Sequence, residues 1–105
     1  MTYLTFITEV AEQDISQAAR YIAQELLNPI AADGLLDEFE NAVASLEAMP
    51  KRYPLVKNEE LAALSFRIMP VQNYLVFYVV REKSRRVVIE RFLHHRRDWI
   101  HILGE

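Results

Sequence analysis

Apolar residues fall at Ala11, Ile15, Ala18, Ile22 and Leu26, spaced by four, three, four and four. That spacing follows one face of an α-helix. Thr8 stands where a helix cap is needed, and Glu9, Glu12 and Asp14 lie near the positive end of the helix it opens. Ahead of it, Tyr3-Leu4-Thr5-Phe6-Ile7 alternates and is rich in β-formers, which predicts a short strand. Asn28-Pro29 breaks the helix, with Asn28 suited to an N-cap and Pro29 to a first helical position. A second stripe runs through Ala32, Leu35/Leu36, Phe39, Ala42/Val43, Leu46 and Met49, and Pro50 stops it. Two helices joined by so short a break are expected to form an antiparallel hairpin.

Residues 50–61, with two prolines and five charges, read as an irregular connection. The period then changes. Leu64-Ser65-Phe66-Arg67-Ile68-Met69 alternates and is expected to end at Pro70, and residues 73–81 are almost continuously apolar, as in a central strand. Glu82-Lys83-Ser84-Arg85 is a polar turn before a third strand over residues 86–93. The tail, residues 94–105, is expected to be a short helix or an extended arm. The order is β-α-α-β-β-β, an α+β class fold. Its helical hairpin is expected on one face of a small, mainly antiparallel sheet, in one domain over residues 1–105. The other face, or the rim, is then left for function.

Composition narrows the chemistry. With no cysteine, thiolate metal sites, disulfides and cysteine nucleophiles are excluded, and a reducing cytoplasm is the compatible compartment. The longest apolar run, residues 74–80, is far short of the roughly 20 residues that span a bilayer. No basic segment precedes an apolar one at the start, so no signal peptide is expected. The net charge of −3 conceals an asymmetry. Residues 1–65 carry four basic and eleven acidic side chains, net −7, whereas residues 66–105 carry eight basic and four acidic, net +4. The second part can offer a local cationic face to phosphate or to an acidic protein, while the acidic whole disfavours non-specific nucleic-acid binding.

Within that cationic part, alternation turns Arg67 away from Phe66 and Ile68. Arg91 interrupts an otherwise mostly apolar strand, which ends in His94-His95-Arg96-Arg97-Asp98-Trp99. Three strands thus place Arg67, Arg91 and the histidine–arginine segment within reach of one another. Arginine forks hold phosphate oxygens and stabilise developing negative charge, and histidine moves protons near neutral pH. Arg67, Arg91, Arg96 and Arg97 are therefore candidate target- or phosphate-binding groups. Arg67, Arg91, His94 and His95 are candidate catalytic groups if the chemistry is phosphodiester cleavage. No metal or other cofactor is required: there is no compact set of carboxylates, and the adjacent His94 and His95 diverge on a strand. The structural alternative pairs Arg91 with an acidic residue, leaves Arg96-Arg97-Asp98 as a solvated strand end, and uses Trp99 to pack the tail on the sheet. Tyr74, Phe77 and Tyr78 fit a core better than a base-stacking platform.

Three stretches together resemble the RelE/ParE superfamily of bacterial type II toxin–antitoxin toxins. Ala31-Ala32-Asp33-Gly34-Leu35 through Ser45-Leu46-Glu47-Ala48-Met49-Pro50 looks like its second helix and proline stop. Phe66-Arg67-Ile68-Met69-Pro70-Val71-Gln72-Asn73-Tyr74-Leu75-Val76-Phe77-Tyr78-Val79-Val80 resembles its arginine-bearing strand and the tyrosine-rich strand that follows. Val88-Ile89-Glu90-Arg91-Phe92-Leu93-His94-His95-Arg96-Arg97-Asp98-Trp99 looks like its last strand and His-x-Arg-Arg-Asp signature. The resemblance implies a toxin held inactive by a cognate antitoxin, which would contribute an acidic or amphipathic segment in a hetero-oligomer. It also implies one of two activities. RelE-like members cleave ribosome-bound mRNA without metal, using side chains on the concave sheet face. ParE-like members poison DNA gyrase and are not nucleases. Arg67 matches the strand arginine, and His94 or His95 the terminal-strand histidine. The acidic balance, the long hairpin and the Arg96-Arg97-Asp98 ending look ParE-like, which makes gyrase the expected target and RelE-like mRNA cleavage the alternative. A non-toxic remnant or immunity-like binding module is a third expectation. The isolated chain is expected to expose an apolar patch until its partner covers it.

Overall fold

The computed structural model describes residues 2–104; Met1 and Glu105, the two ends of the expected domain and tail, lie outside the described residues. Four strands, β1 (Leu4–Ile7), β2 (Arg67–Val71), β3 (Tyr74–Arg81) and β4 (Arg86–His94), form one sheet in the order β1-β4-β3-β2. β2, β3 and β4 are a meander of antiparallel pairs, and β1 runs parallel to β4. Two long helices, α1 (Glu9–Arg20) and α2 (Pro29–Ser45), form the hairpin, and two short ones, α3 (Glu59–Ala63) and α4 (Trp99–Leu103), complete the fold.

The helix starts follow the sequence. The Ala11 N–H donates to Thr8 Oγ1 at 3.1 Å, and the Thr8 hydroxyl donates in turn to the Glu90 carbonyl at 3.1 Å. One side chain thus caps α1 and pins it to β4. Asn28 caps α2 through the Ala31 N–H, with Pro29 at the first helical position. The predicted stripe of α1 runs on only as far as Ile22. Residues Tyr21–Glu25 form a wide π-helical turn, and the Leu26 N–H bonds to the Tyr21 carbonyl at 3.2 Å. The wider turn shifts the phase of the face, so Leu26 is exposed rather than buried.

Two further expectations are corrected. The second strand does not stop at Pro70 but passes through it, because β2 is an edge strand where proline's missing N–H removes no ladder bond. Part of the connection over residues 50–61 is ordered, with α3 capped by Asn58 through the Leu61 N–H.

The hairpin and the sheet enclose the main core: Ala11, Ile15 and Ala18 from α1, Leu35, Phe39 and Val43 from α2, and Met69, Val71, Val76, Tyr78, Val87, Ile89 and Phe92 from the strands. Tyr78 donates its hydroxyl to the Pro50 carbonyl at 2.7 Å, so a fully buried ring also fixes the loop after α2. The opposite face is not open. Phe77, Val79 and Leu93 meet Val56, Leu61 and Phe66, with Trp99, Ile102 and Leu103 of α4 packed against them. Helices thus lie on both sides of the sheet. This corrects the expectation of a free face and leaves only the rim.

Candidate functional site

The cationic residues are distributed along that rim in three separate settings. The first lies at β2. Arg67 stands opposite Tyr78, and its Nη1 donates to the Tyr53 carbonyl at 2.7 Å, tying down the loop after α2. Arg67 also lines a hollow of about 340 Å³ shared with Lys51, Leu55, Ser65, Val80, Glu82 and Lys83. Glu82 pairs there with Lys51. Three cations around one carboxylate leave an excess of positive charge, suited to a carboxylate or phosphate.

The second setting holds Arg91. β1 is short and its register with β4 ends at Ile7 opposite Ile89. Beyond it, β4 has lost its strand neighbour on that side. Asp14 of α1 fills the vacancy. Its Oδ2 accepts from the Phe92 N–H at 3.0 Å and from Arg91 Nε at 2.8 Å, and its Oδ1 accepts from Arg91 Nη2 at 3.0 Å. The carboxylate satisfies a backbone donor that no strand reaches, and the guanidinium fork balances its charge. A bulge at Glu90 makes this possible. Phe77 pairs with Arg91 but Tyr78 with Ile89, so one residue of β4 is skipped and the strand bends. Arg91 therefore has a structural partner, but on a helix rather than on the sheet.

The third setting is the end of β4. His94, Arg97, Tyr74, Phe92, Gln17 and Tyr21 are among the residues around a hollow of about 450 Å³. The His94 ring stacks on His95 with centroids 4.7 Å apart and meets Tyr74 edge-on at 5.2 Å. His94 Nδ1 accepts the Arg96 N–H at 3.2 Å, which places the proton of the neutral ring on Nε2. Partial burial, followed by the neighbouring His95 and Arg96, holds the His94 pKa below the ordinary histidine value. His95, Arg96 and Arg97 are exposed, and Asp98 caps α4. Trp99 packs on Phe77 at 5.4 Å, the tail-anchoring role of the structural alternative.

The expected convergence of Arg67, Arg91 and His94 into one cluster is thus not what the fold builds. The hollow at Arg67 is lined by neither Arg91 nor His94, and Arg91 faces a carboxylate. Strand alternation places side chains on a face, but the bulge and the early end of β1 decide where those of β4 go. Asp14 was legible only as a helix-dipole residue. The stronger signal was its place on the stripe between Ala11 and Ala18, where a carboxylate demands a partner. Among the described residues, no group of three or more His, Asp or Glu side chains is gathered as for a metal ion.

Two solved structures share this arrangement of elements. One is the toxin–antitoxin complex RelBE2 from Mycobacterium tuberculosis, with TM-score 0.63 and 22% identity, covering 90% of this chain and 99% of that one. The other is the chromosomal ParDE toxin–antitoxin system of P. aeruginosa, with TM-score 0.72 and 12% identity, covering 89% of this chain and 96% of that one. No curated protein matches the chain. The family model for the ParE toxin of the type II toxin–antitoxin system parDE matches residues 6–99, from β1 to the start of α4. The chain belongs to that family and is the toxin component of a type II toxin–antitoxin module.

Proposed function

We propose that this toxin arrests growth by binding DNA gyrase rather than by cutting RNA. The observation that carries the reading is the separation of the candidate catalytic groups. Cleavage of a phosphodiester without metal needs a proton-transfer group and a charge-stabilising group around the same phosphate. Here Arg67 braces a loop, Arg91 is paired with Asp14, and His94 shares its hollow with Arg97 but not with Arg67 or Arg91, while the Asp14 carboxylate in the same lining opposes a phosphate there. Membership of the ParE family supports the same reading, and action on gyrase places the toxin in the cytoplasm. Among the described residues no helix is long and apolar enough to cross a membrane.

The cognate antitoxin completes the reading. We infer a hetero-oligomer in which an acidic or amphipathic antitoxin segment lies along the cationic rim, with a carboxylate in the hollow of Lys51, Arg67 and Lys83. Apolar residues on the same segment would cover part of the exposed apolar surface as it folds on binding. Purified toxin, titrated into gyrase supercoiling reactions alongside ribosome-bound mRNA, tests this. Loss of supercoiling with intact transcripts is expected, and antitoxin should restore supercoiling. Untouched supercoiling at many-fold excess, with transcripts cut in the same tube, would replace the gyrase reading with an RNase one. Growth unaffected by expression without antitoxin would indicate a remnant.

A further inference from the structure

The two edges of the sheet are built differently. β2 carries Pro70, and Leu55 bridges to Arg67 outside it. β1 has neither proline nor charge, so it lacks the devices that normally blunt an exposed edge. Its inner side is used: the Leu4 N–H donates to the Arg85 carbonyl and the Thr8 N–H to the Ile89 carbonyl, both at 3.0 Å. In a parallel ladder every second residue turns its backbone groups to one neighbour, so those of Thr5 and Ile7 point outward. The side chains around them are apolar and open, with Leu4 65% exposed, Phe6 43%, Ile7 37% and Val10 47%.

We propose that β1 pairs antiparallel with β1 of a second copy of this chain, about a two-fold axis through Phe6. The register is set by what the edge offers. Centred on Phe6, Thr5 of each copy meets Ile7 of the other and both exchange their outward N–H and C=O groups. A centre on Thr5 would need Tyr3, whose N–H is already bonded to the Glu47 carbonyl at 2.8 Å. A centre on Ile7 would need Glu9, which is in α1. Charge favours the same arrangement. Arg85 flanks the start of β1, where its carbonyl accepts the Leu4 N–H, while the Arg86 guanidinium reaches to 4.9 Å from the Phe6 ring centroid, near the axis, where it also faces the partner's Phe6 ring. Glu9 and Glu12, in the first turn of α1, flank its end. Antiparallel pairing sets the cationic start of one strand beside the acidic end of the other, where parallel pairing would set like against like. The occupant is thus another copy, whose edge is apolar, uncharged and self-complementary.

The absence of cysteine makes the test direct. Across the axis the two Phe6 residues form a non-hydrogen-bonded pair with Cα atoms about 4.5 Å apart. The two Leu4 residues lie roughly 13 Å apart along the strands. The full chain, made by cell-free synthesis, should sediment at twice 12.3 kDa at micromolar concentration. Under mild oxidation Phe6→Cys should link two copies almost completely, and Leu4→Cys at least tenfold more slowly. Ile7→Lys, at an exposed position, should give a monomer with an unchanged circular dichroism spectrum. A folded wild-type chain that stays at monomer mass would overturn the proposal, as would equal linking by Phe6→Cys and Leu4→Cys. So would a monomer whose introduced thiol at position 6 is shielded only after antitoxin is added, since the edge would then belong to the antitoxin.

Discussion

The two faces of the sheet are covered in different ways. The hairpin face is covered by helices of 12 and 17 residues, each capped by its own sequence, with a continuous apolar stripe. The opposite face is covered by two helices of five residues each, too short to hold their shape without the surface they lie on. The first cover is part of the scaffold, whereas the second is conditional on contact. Loss of a contact on the hairpin face should lower the stability of the whole fold. On the other face it should release a segment and leave the rest standing.

The largest expected effect tests the scaffold. Phe92 is fully buried, edge-on to Phe39 and stacked on Tyr74, so Phe92→Ala should cost about 3–5 kcal/mol and lower the denaturant midpoint of the whole molecule. Asp14→Ala comes next. It strands the Phe92 N–H and the Arg91 fork together, at a cost of roughly 2–3 kcal/mol by thermal melting. Asp14→Asn should recover part of this, because an amide oxygen still accepts one bond. Trp99→Ala should cost about 1–2 kcal/mol, since this ring is half-buried. Its hydrogen-exchange signature is the sharper one: amides of α4 should lose protection while those of α1 keep theirs. Equal loss in both would erase the distinction between the faces.

The smallest effect concerns pH. Because the folded His94 pKa is depressed, the unfolded chain binds more protons as pH falls through the ordinary histidine range near 6.5. Stability from this group is present above that value and is lost on acidification toward the folded pKa. His94→Gln should flatten this part of a plot of melting temperature against pH, and an unchanged slope would remove His94 as its source.

Much of this architecture can be read in the chain. Thr8, Asn28 and Pro29 mark helix starts by their own chemistry, and the stripes from Ala11 to Ala18 and from Ala32 to Leu46 mark the buried faces. Local signals ended where local chemistry ended. Nothing near Leu26 announces a π-helical turn, and nothing near Glu90 announces a bulge, because both arise from fitting one element to another. The covering of the far face was legible only in part: the tail was expected as a short helix or arm that Trp99 could pack on the sheet, but α3 has too few residues to show a period. The candidate site was legible as residue types and not as a place. Arg67, Arg91 and His94 were found by their chemistry, but their separation depends on Asp14 and on where β1 stops.

The parallel pairing of β1 with β4 also governs when this toxin comes into being. Residues 4–7 must wait for residues 86–89, and β4 lies between β1 and β3 in the sheet. A nascent chain that has emerged only through β3 has the hairpin, β2 and β3 but not the strand that joins them to β1. Closure of so distant a pairing is also slow compared with helix formation. The sheet is therefore complete only once β4 has been made, and a chain that stops before residue 86 lacks the strand that joins β1 to β3.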